Sequence, residues 1–497
     1  MKKIIGIYFC FVISCVLKAQ DGSLDLSFGT GGKVLTGISG FGCSIAIQTD
    51  GKIIYCGSVN NGSTYDITVC RFNSDGSFDT GFGTSGIVFT DIDSSNQEAK
   101  DVAIQTDGKI LVIGNTNVSG NQDFLLVRYN VDGTLDTTFN STGILKVPIG
   151  TIDDYARSLR LQPDGKILVS GHSNNSMYAD FAIIRVNVNG TLDATFDGDG
   201  KCVVDVGGED DLNAQMALQT DGKIVLSGDI WVGANFYDFG SIRLMPDGSF
   251  DTGFGTGGKV VTDGFTGFDN YATPSIQADG KIIVGGTIDN STNNFGLMKY
   301  DGNGNLDLTF DGDAKVTNSF GGIGSVAYSL AIQADGKIIQ AGHNYGDFGL
   351  MRYHANGSLD TAFGSAGKVL TDFSGTTDYA YAMALQTDAK IVVAGTSDGF
   401  FSMARYNVSP VGISENIADI TLSVFPNPTN TAITISTAEI IENATAKITN
   451  ATGDIIFSKD NLSGNSFSFD VSNLVEGVYF IELNAGQKVS RTKFIRK

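Results

Sequence analysis

The chain has 497 residues, among them 64 glycines and 7 prolines, and only 18% of it is charged; this mixture suits many short strands joined by tight turns. That length exceeds one ordinary domain, so two are expected. The formal charge is -21 and no basic run occurs between Asp21 and Thr492, which excludes nucleic acid as a partner, because phosphate binding needs clustered Lys and Arg.

The first segment reads as an export signal over residues 1–20. Lys2 and Lys3 precede an apolar run from Ile4 to Leu17 that is too short to span a bilayer. Cleavage is expected after Ala19 or Gln20; the rival is acylation of Cys15 in Val12-Ile13-Ser14-Cys15. Processing removes three lysines and leaves a charge of about -24, which keeps an exported protein soluble. No later segment reaches transmembrane length, and nothing calls for an oligomer, so a monomer is expected. Cys43, Cys56, Cys70 and Cys202 do not recur from copy to copy; they read as buried thiols, with a Cys56–Cys70 bridge as the alternative.

Residues 21–407 are repetitive. Gln-x-Asp-Gly-Lys-Ile or a close variant begins at Gln48, Gln105, Gln162, Gln219, Gln277, Gln333 and Gln386, and Asp-x-x-Phe begins at Asp25, Asp79, Asp136, Asp193, Asp251, Asp307 and Asp360. Seven copies of each pattern, 53 to 58 residues apart, mark a repeat architecture. Ser44-Ile45-Ala46-Ile47-Gln48 and Lys52-Ile53-Ile54-Tyr55-Cys56-Gly57 alternate at period two around Thr49-Asp50-Gly51, which predicts a hairpin closed by a left-handed Gly. Ala389 takes that Gly's place in the seventh copy and should strain its turn.

A second hairpin is expected around Ser74-Asp75-Gly76, with Arg71 opposite Asp79. The same offset joins Arg128 to Asp136, Arg185 to Asp193, Arg243 to Asp251, Lys299 to Asp307 and Arg352 to Asp360. A pair present in every copy is structural, since an active site breaks repeat symmetry. Arg405 has Ile413 where its Asp should be, and Asp25 stands unpaired at the other end. A ring closed by the N-terminal strand reunites them, which favours a closed seven-bladed β-propeller over an open solenoid. Gly32-Lys33-Val34-Leu35 and its equivalents form a further strand whose neighbour the sequence leaves open.

Val408 to about residue 416 reads as a linker. Residues 417–497 alternate apolar and polar, as in Ala432-Ile433-Thr434-Ile435 and Val478-Tyr479-Phe480-Ile481, which predicts a small antiparallel, Ig-like sandwich.

Residues 22–407 resemble the delta-60 repeat, a bacterial β-propeller repeat without a settled activity. From about Ile413, Val424-Phe425-Pro426-Asn427-Pro428, Gly453, Leu474-Val475-Glu476-Gly477-Val478-Tyr479 and Lys493-Phe494-Ile495-Arg496-Lys497 resemble the type A C-terminal sorting domain of the type IX secretion system of Bacteroidota; Asp454 departs from the basic residue usual there. The resemblance implies passage through the periplasm and across the outer membrane, the secretion machinery as partner, removal of this domain, and release or attachment at the surface. Pro426, Asn427, Pro428, Gly477, Tyr479, Lys493, Arg496 and Lys497 are the sorting residues it implies.

No cofactor is expected. His172, His343 and His354 are too few and scattered for zinc. Asp301-Gly302-Asn303-Gly304-Asn305 and Asp197-Gly198-Asp199-Gly200 are calcium-like runs, but Leu306 stands where an EF loop needs Gly, and turn chemistry explains both. Between the second strand and the cation of the third, the stretch varies in length from 10 to 15 residues among the copies, and these stretches carry Tyr65, Tyr178, Trp231, Phe236, Tyr237 and Tyr345. Ligand binding, to a glycan or a surface protein, is expected near Trp231 and Tyr237 in the fourth copy; the competing reading has these rings folded onto their own blades. A binding or adhesion module is the first functional reading, and an extracellular polysaccharide hydrolase or lyase the alternative.

Overall fold

The computed structural model describes residues 20–409 and 422–497, apart from residues 119, 176, 234–235, 264–266, 290–291, 322–323, 376, 451–454 and 486–487. The export segment and most of the linker lie outside the described residues. The chain divides into two compact units, Met1–Pro410 and Val411–Lys497. Every described regular element is a strand.

The first unit contains seven four-stranded antiparallel sheets. In the first, Phe41–Ile47, Ile53–Asn60, Tyr65–Phe72 and Ile87–Thr90 follow one another from the centre outward. The Gly-Lys-Val segment is therefore the outer strand, paired with the third. Around the expected second turn the structure has only a single bridge, Phe72 to Phe78, with Asp79 N donating to Arg71 O. The chain then turns through Gly83 and Gly86 before the outer strand forms.

The inner strands are Phe41–Ile47, Gln97–Ile104, Asp154–Leu161, Asp211–Leu218, Asn270–Ile276, Ser325–Ile332 and Asp378–Leu385. Each packs against the next, and the seventh against the first, so the ring closes. Lys33–Ser39 supplies the outer strand of the seventh blade, with Lys33 opposite Ala404 and Leu35 opposite Ser402. The second and third strands of the first blade are buried on both faces. Ile54 and Cys56 pack toward the second blade, whereas Ile53, Tyr55 and Cys70 pack toward the seventh. Alternation therefore feeds two layers of core. Cys56 and Cys70 consequently point to opposite faces, and both are free thiols; the bridge considered for them does not form.

In the second unit Leu422–Phe425, Ala432–Thr449, Ile455–Asp470, Gly477–Ala485 and Lys488–Arg496 form one hydrogen-bonded sheet. Two of its strands run through both halves, with register shifts between Ser436 and Thr449. The core gathers Ile433, Ile435 and Phe469 with Ile448, Ile481, Leu483 and Phe494. The sandwich layers are thus one bent sheet folded onto itself, because bulges let long strands turn the corner without breaking the ladder.

Candidate functional site

The repeated ion pairs explain why the motif is Asp-x-x-Phe. In the second copy Asp136 Oδ2 accepts from Arg128 Nε at 2.7 Å and from Lys109 Nζ at 2.9 Å. Arg128 also lies over the Phe139 ring, 4.6 Å from its centroid, and donates to Val188 O in the next copy. Arg71 and Asp79 repeat this with Lys52 and Phe82. Arg405 takes Asp25 at 2.8 Å, Lys390 joins the same carboxylate, Phe28 lies beneath, and Arg405 donates to Ser74 O in the first blade. The N-terminus thus completes the seventh copy. These side chains brace blade against blade.

Where the copies differ is the middle. Every inner strand carries a β-bulge: register shifts fall between Gly42 and Ser44, Ala99 and Asp101, Ala156 and Ser158, Leu212 and Gln215, Asn270 and Thr273, Ala327 and Ser329, and Ala380 and Ala382. The second strand has glycine opposite each one. A Cβ at Gly114, Gly171, Gly342 or Gly395 would run into the carbonyl oxygen of Glu98, Tyr155, Val326 or Tyr379. A bulge re-aims its extra residue, and here that residue lines a central channel of about 830 Å³.

The channel residues are Cys43, Lys100, Arg157, Asn213, Tyr271, Tyr328 and Tyr381, in blade order. Three consecutive blades thus present tyrosine, with Tyr271 and Tyr328 at 4.7 Å and Tyr328 and Tyr381 at 5.2 Å between centroids. His343 sits behind them, 5.6 Å from Tyr328 and 4.5 Å from Tyr379, and burial holds it neutral with a pKa near 4.

The opposite arc is cationic. Lys100 pairs with Glu98 at 2.8 Å. Arg160 reaches Asp101 at 3.4 Å and its own neighbour's carbonyl, Leu159 O, at 2.7 Å. Asp101 further accepts from Ser44 Oγ and from the backbone of Val102 and Leu159. Arg157 has no such partner among the described residues, and its Nε is buried without a hydrogen bond. Burial pulls its pKa below the ordinary value, while Asp229 and Glu98 act on it only through space. Asp229, pushed up to about 6 by burial, accepts instead from Asn213 Nδ2 at 2.8 Å and from Ala272 N.

The aromatic residues singled out from the sequence divide. Tyr65 joins the channel wall, with Phe41 at 6.0 Å. Trp231 ends the second strand of the fourth blade directly opposite Tyr237, and their rings meet edge to face at 5.0 Å. Phe236 and Tyr237 both pack on Phe268, so this is a cluster of mutually packed, half-exposed rings. Tyr178 begins a third strand and is 38% exposed. The calcium-like run at Asp301 is a turn, its Oδ1 accepting from Asn303 N and Asn305 N. Carboxylates converge elsewhere: Asp180, Asp205 and Asp211 bring oxygens within 4.8 Å of one another, as do Asp347, Asp372 and Asp378. Burial, with Asp205 and Asp180 nearby, pushes Asp211 up to about 7.

In the second unit the residues that the resemblance implies for sorting gather at one edge. Asn427 Oδ1 accepts from Ile495 N at 2.9 Å and its Nδ2 donates to Lys493 O, tying the exposed loop of Pro426 and Pro428 to the last strand. Tyr479 stacks on Phe494 and donates to Val475 O; Gly477 lies opposite Arg496, which donates to Val471 O and Ser472 O. Lys497 N donates to Thr429 O.

Residues 423–497 match the secretion system C-terminal sorting domain. Six segments, 48–82, 105–139, 162–196, 219–254, 277–310 and 333–363, match the β-propeller domain of unknown function DUF5122. The chain is thus a repeat propeller with a type IX sorting tail, exported to the cell surface or secreted. Among solved structures it is similar to PorZ, a surface component of the type IX secretion system of Porphyromonas gingivalis, at 9% identity and a TM-score of 0.39 over 91% of this chain; it spans 59% of PorZ. Streptogramin B lyase is similar at 11% identity and 0.44, over 75% of this chain and 96% of the lyase. Polysaccharide lyase Uly1 is similar at 10% and 0.42, over 80% and 94% respectively. No curated protein matches the sequence.

Proposed function

We propose that the propeller is an exported binding module whose ligand enters the central channel between the tyrosine arc and the cationic arc. The observation that carries this is where the repeat loses its uniformity. Bracing residues are nearly the same in all seven copies, whereas the bulge residues run Cys43, Lys100, Arg157, Asn213, Tyr271, Tyr328 and Tyr381. Residues that only hold a blade together have no reason to differ in this way. A concave site with aromatic faces and a few convergent polar groups is what a small organic ligand or a chain end requires. The rim cluster of Trp231, Phe236 and Tyr237 offers a further contact for a longer ligand, and the sorting tail delivers the module to its place of work.

The test is affinity electrophoresis of the full chain against a panel of polysaccharides, repeated with Tyr328→Ala and with Trp231→Ala. Tyr328→Ala is expected to weaken binding about fivefold or more, in line with stacking contributions of ~1 kcal/mol, with the strand content retained by circular dichroism. Binding that Tyr328→Ala leaves intact contradicts the channel, and loss in Trp231→Ala alone moves the site to the rim. A new reducing end or an unsaturated product transfers the site to the hydrolase or lyase reading.

A further inference from the structure

We infer that the channel selects an anionic saccharide and that Arg157 is the residue that holds its carboxylate or sulfate group. This deepens the channel reading above and rests on it. A cation inside a protein is ordinarily paired, because an unpaired one loses hydration without compensation. The arginines of the propeller follow that rule. Arg71, Arg128, Arg185, Arg243, Arg352 and Arg405 each hold an aspartate at 2.7 or 2.8 Å.

Arg157 breaks it. It stands at the bulge of the third blade, in the channel wall, with a buried Nε that donates to nothing among the described residues. The acids within reach are already committed. Glu98 is taken by Lys100, Asp101 by Ser44, Val102, Leu159 and Arg160, and Asp229 by Asn213 and Ala272. Among the side chains that line the channel, Lys100, Arg157 and Arg160 outnumber Glu98 and Asp101, while Asp229 acts on Arg157 from behind the wall without a hydrogen bond to it, in a chain whose formal charge is -21. So acidic a surface does not gather polyanions from a distance. Selection has to come from contact inside the channel.

A planar guanidinium fork fits a carboxylate or a sulfate through two parallel hydrogen bonds. Tyr271 and Tyr328, on the facing arc, offer ring faces on which the apolar side of a sugar can stack. An acidic saccharide carries both features in one unit.

The experiment compares polygalacturonate and dextran sulfate, the carboxylate and sulfate sources, with methyl-esterified polygalacturonate and dextran, their neutral counterparts. Affinities are measured for the full chain and for Arg157→Ala, Arg157→Lys and Tyr328→Ala. At least one charged polymer should bind more tightly than its neutral counterpart and weaken as salt is raised. Arg157→Ala should lose about 10- to 100-fold in affinity for it, the range for a charged hydrogen bond, and Arg157→Lys should recover part of that. The melting temperature of Arg157→Ala should stay level or rise, since an unpaired cation is removed; a bracing arginine would lower it.

Equal affinity for charged and neutral polymers overturns the inference, and so does polyanion binding that Arg157→Ala leaves unchanged. Either result leaves the channel standing if Tyr328→Ala still weakens binding. Binding indifferent to both substitutions overturns the channel as well. No binding of either polyanion by the parent overturns the anion assignment.

Discussion

Asp136→Ala tests whether the repeated ion pairs carry the propeller's stability. Arg128 and Asp136 are both 4% exposed at the side chain, and one carboxylate oxygen takes Arg128 at 2.7 Å and Lys109 at 2.9 Å. The other accepts from Thr138 Oγ1 and N. Truncation leaves a buried guanidinium beside a lysine with no anion between them. Removing one partner of a buried pair costs about 3–5 kcal/mol. Arg128 keeps Val188 O, Thr138 Oγ1 and the Phe139 face, which places the cost near the lower end. In a unit of this size that is a fall in melting temperature of roughly 3–6 °C, read by circular dichroism. Arg128→Met with Asp136→Leu should recover much of it, because the charge is then gone from both sides. Burial alone would raise the Asp136 carboxyl, but Thr138, Lys109 and Arg128 together hold it well below the usual range. Its folded pKa is therefore depressed. The contribution is present above the unfolded value and is lost as pH falls through the folded one, so the gap between parent and Asp136→Ala should narrow in acid. A variant melting within about 1 °C of the parent near neutral pH refutes the bracing role.

Ala389 holds φ at 69° in a turn where the other six copies have glycine, so Ala389→Gly should stabilise by about 1 kcal/mol, measured by urea unfolding; a loss would contradict it. Burial, with Asp238, Asp263 and Asp289 nearby, pushes Asp269 up to about 8 despite a hydrogen bond from Asp289 N. Its folded pKa is raised, so its stability is full in acid and lost as pH rises through that value. Asp269→Asn should thus match the parent near pH 4 and exceed it by a few kcal/mol, as an order of magnitude, near pH 8; equal melting at both pH values would count against this. Deleting residues from 413 onward should trap the protein in the periplasm of a type IX host, as read by fractionation, and surface display of the truncated chain would contradict it.

Copy number, ring closure and bracing were legible in the order of the residues. A seven-fold motif needs no coordinates, and an Asp25 without its Arg, far from an Arg405 without its Asp, points to the pairing that Lys33–Ser39 makes with Phe400–Tyr406. Position 389 was legible for the same local reason, because a turn that demands left-handed backbone names its own exception. The channel was not legible. Period-two alternation assigns faces only while the register holds, and one bulged residue reverses every face beyond it. The recurring glycine opposite each bulge was the available signal, yet glycine there also fits a plain strand. Closure of the ring brings Arg157, Tyr271 and Tyr328 from strands far apart in the chain into one cavity. The same fold gives Glu98, Asp101 and Asp229 their other partners. Whether a cation is paired is decided by everything around it, and in a closed ring those surroundings come from every blade.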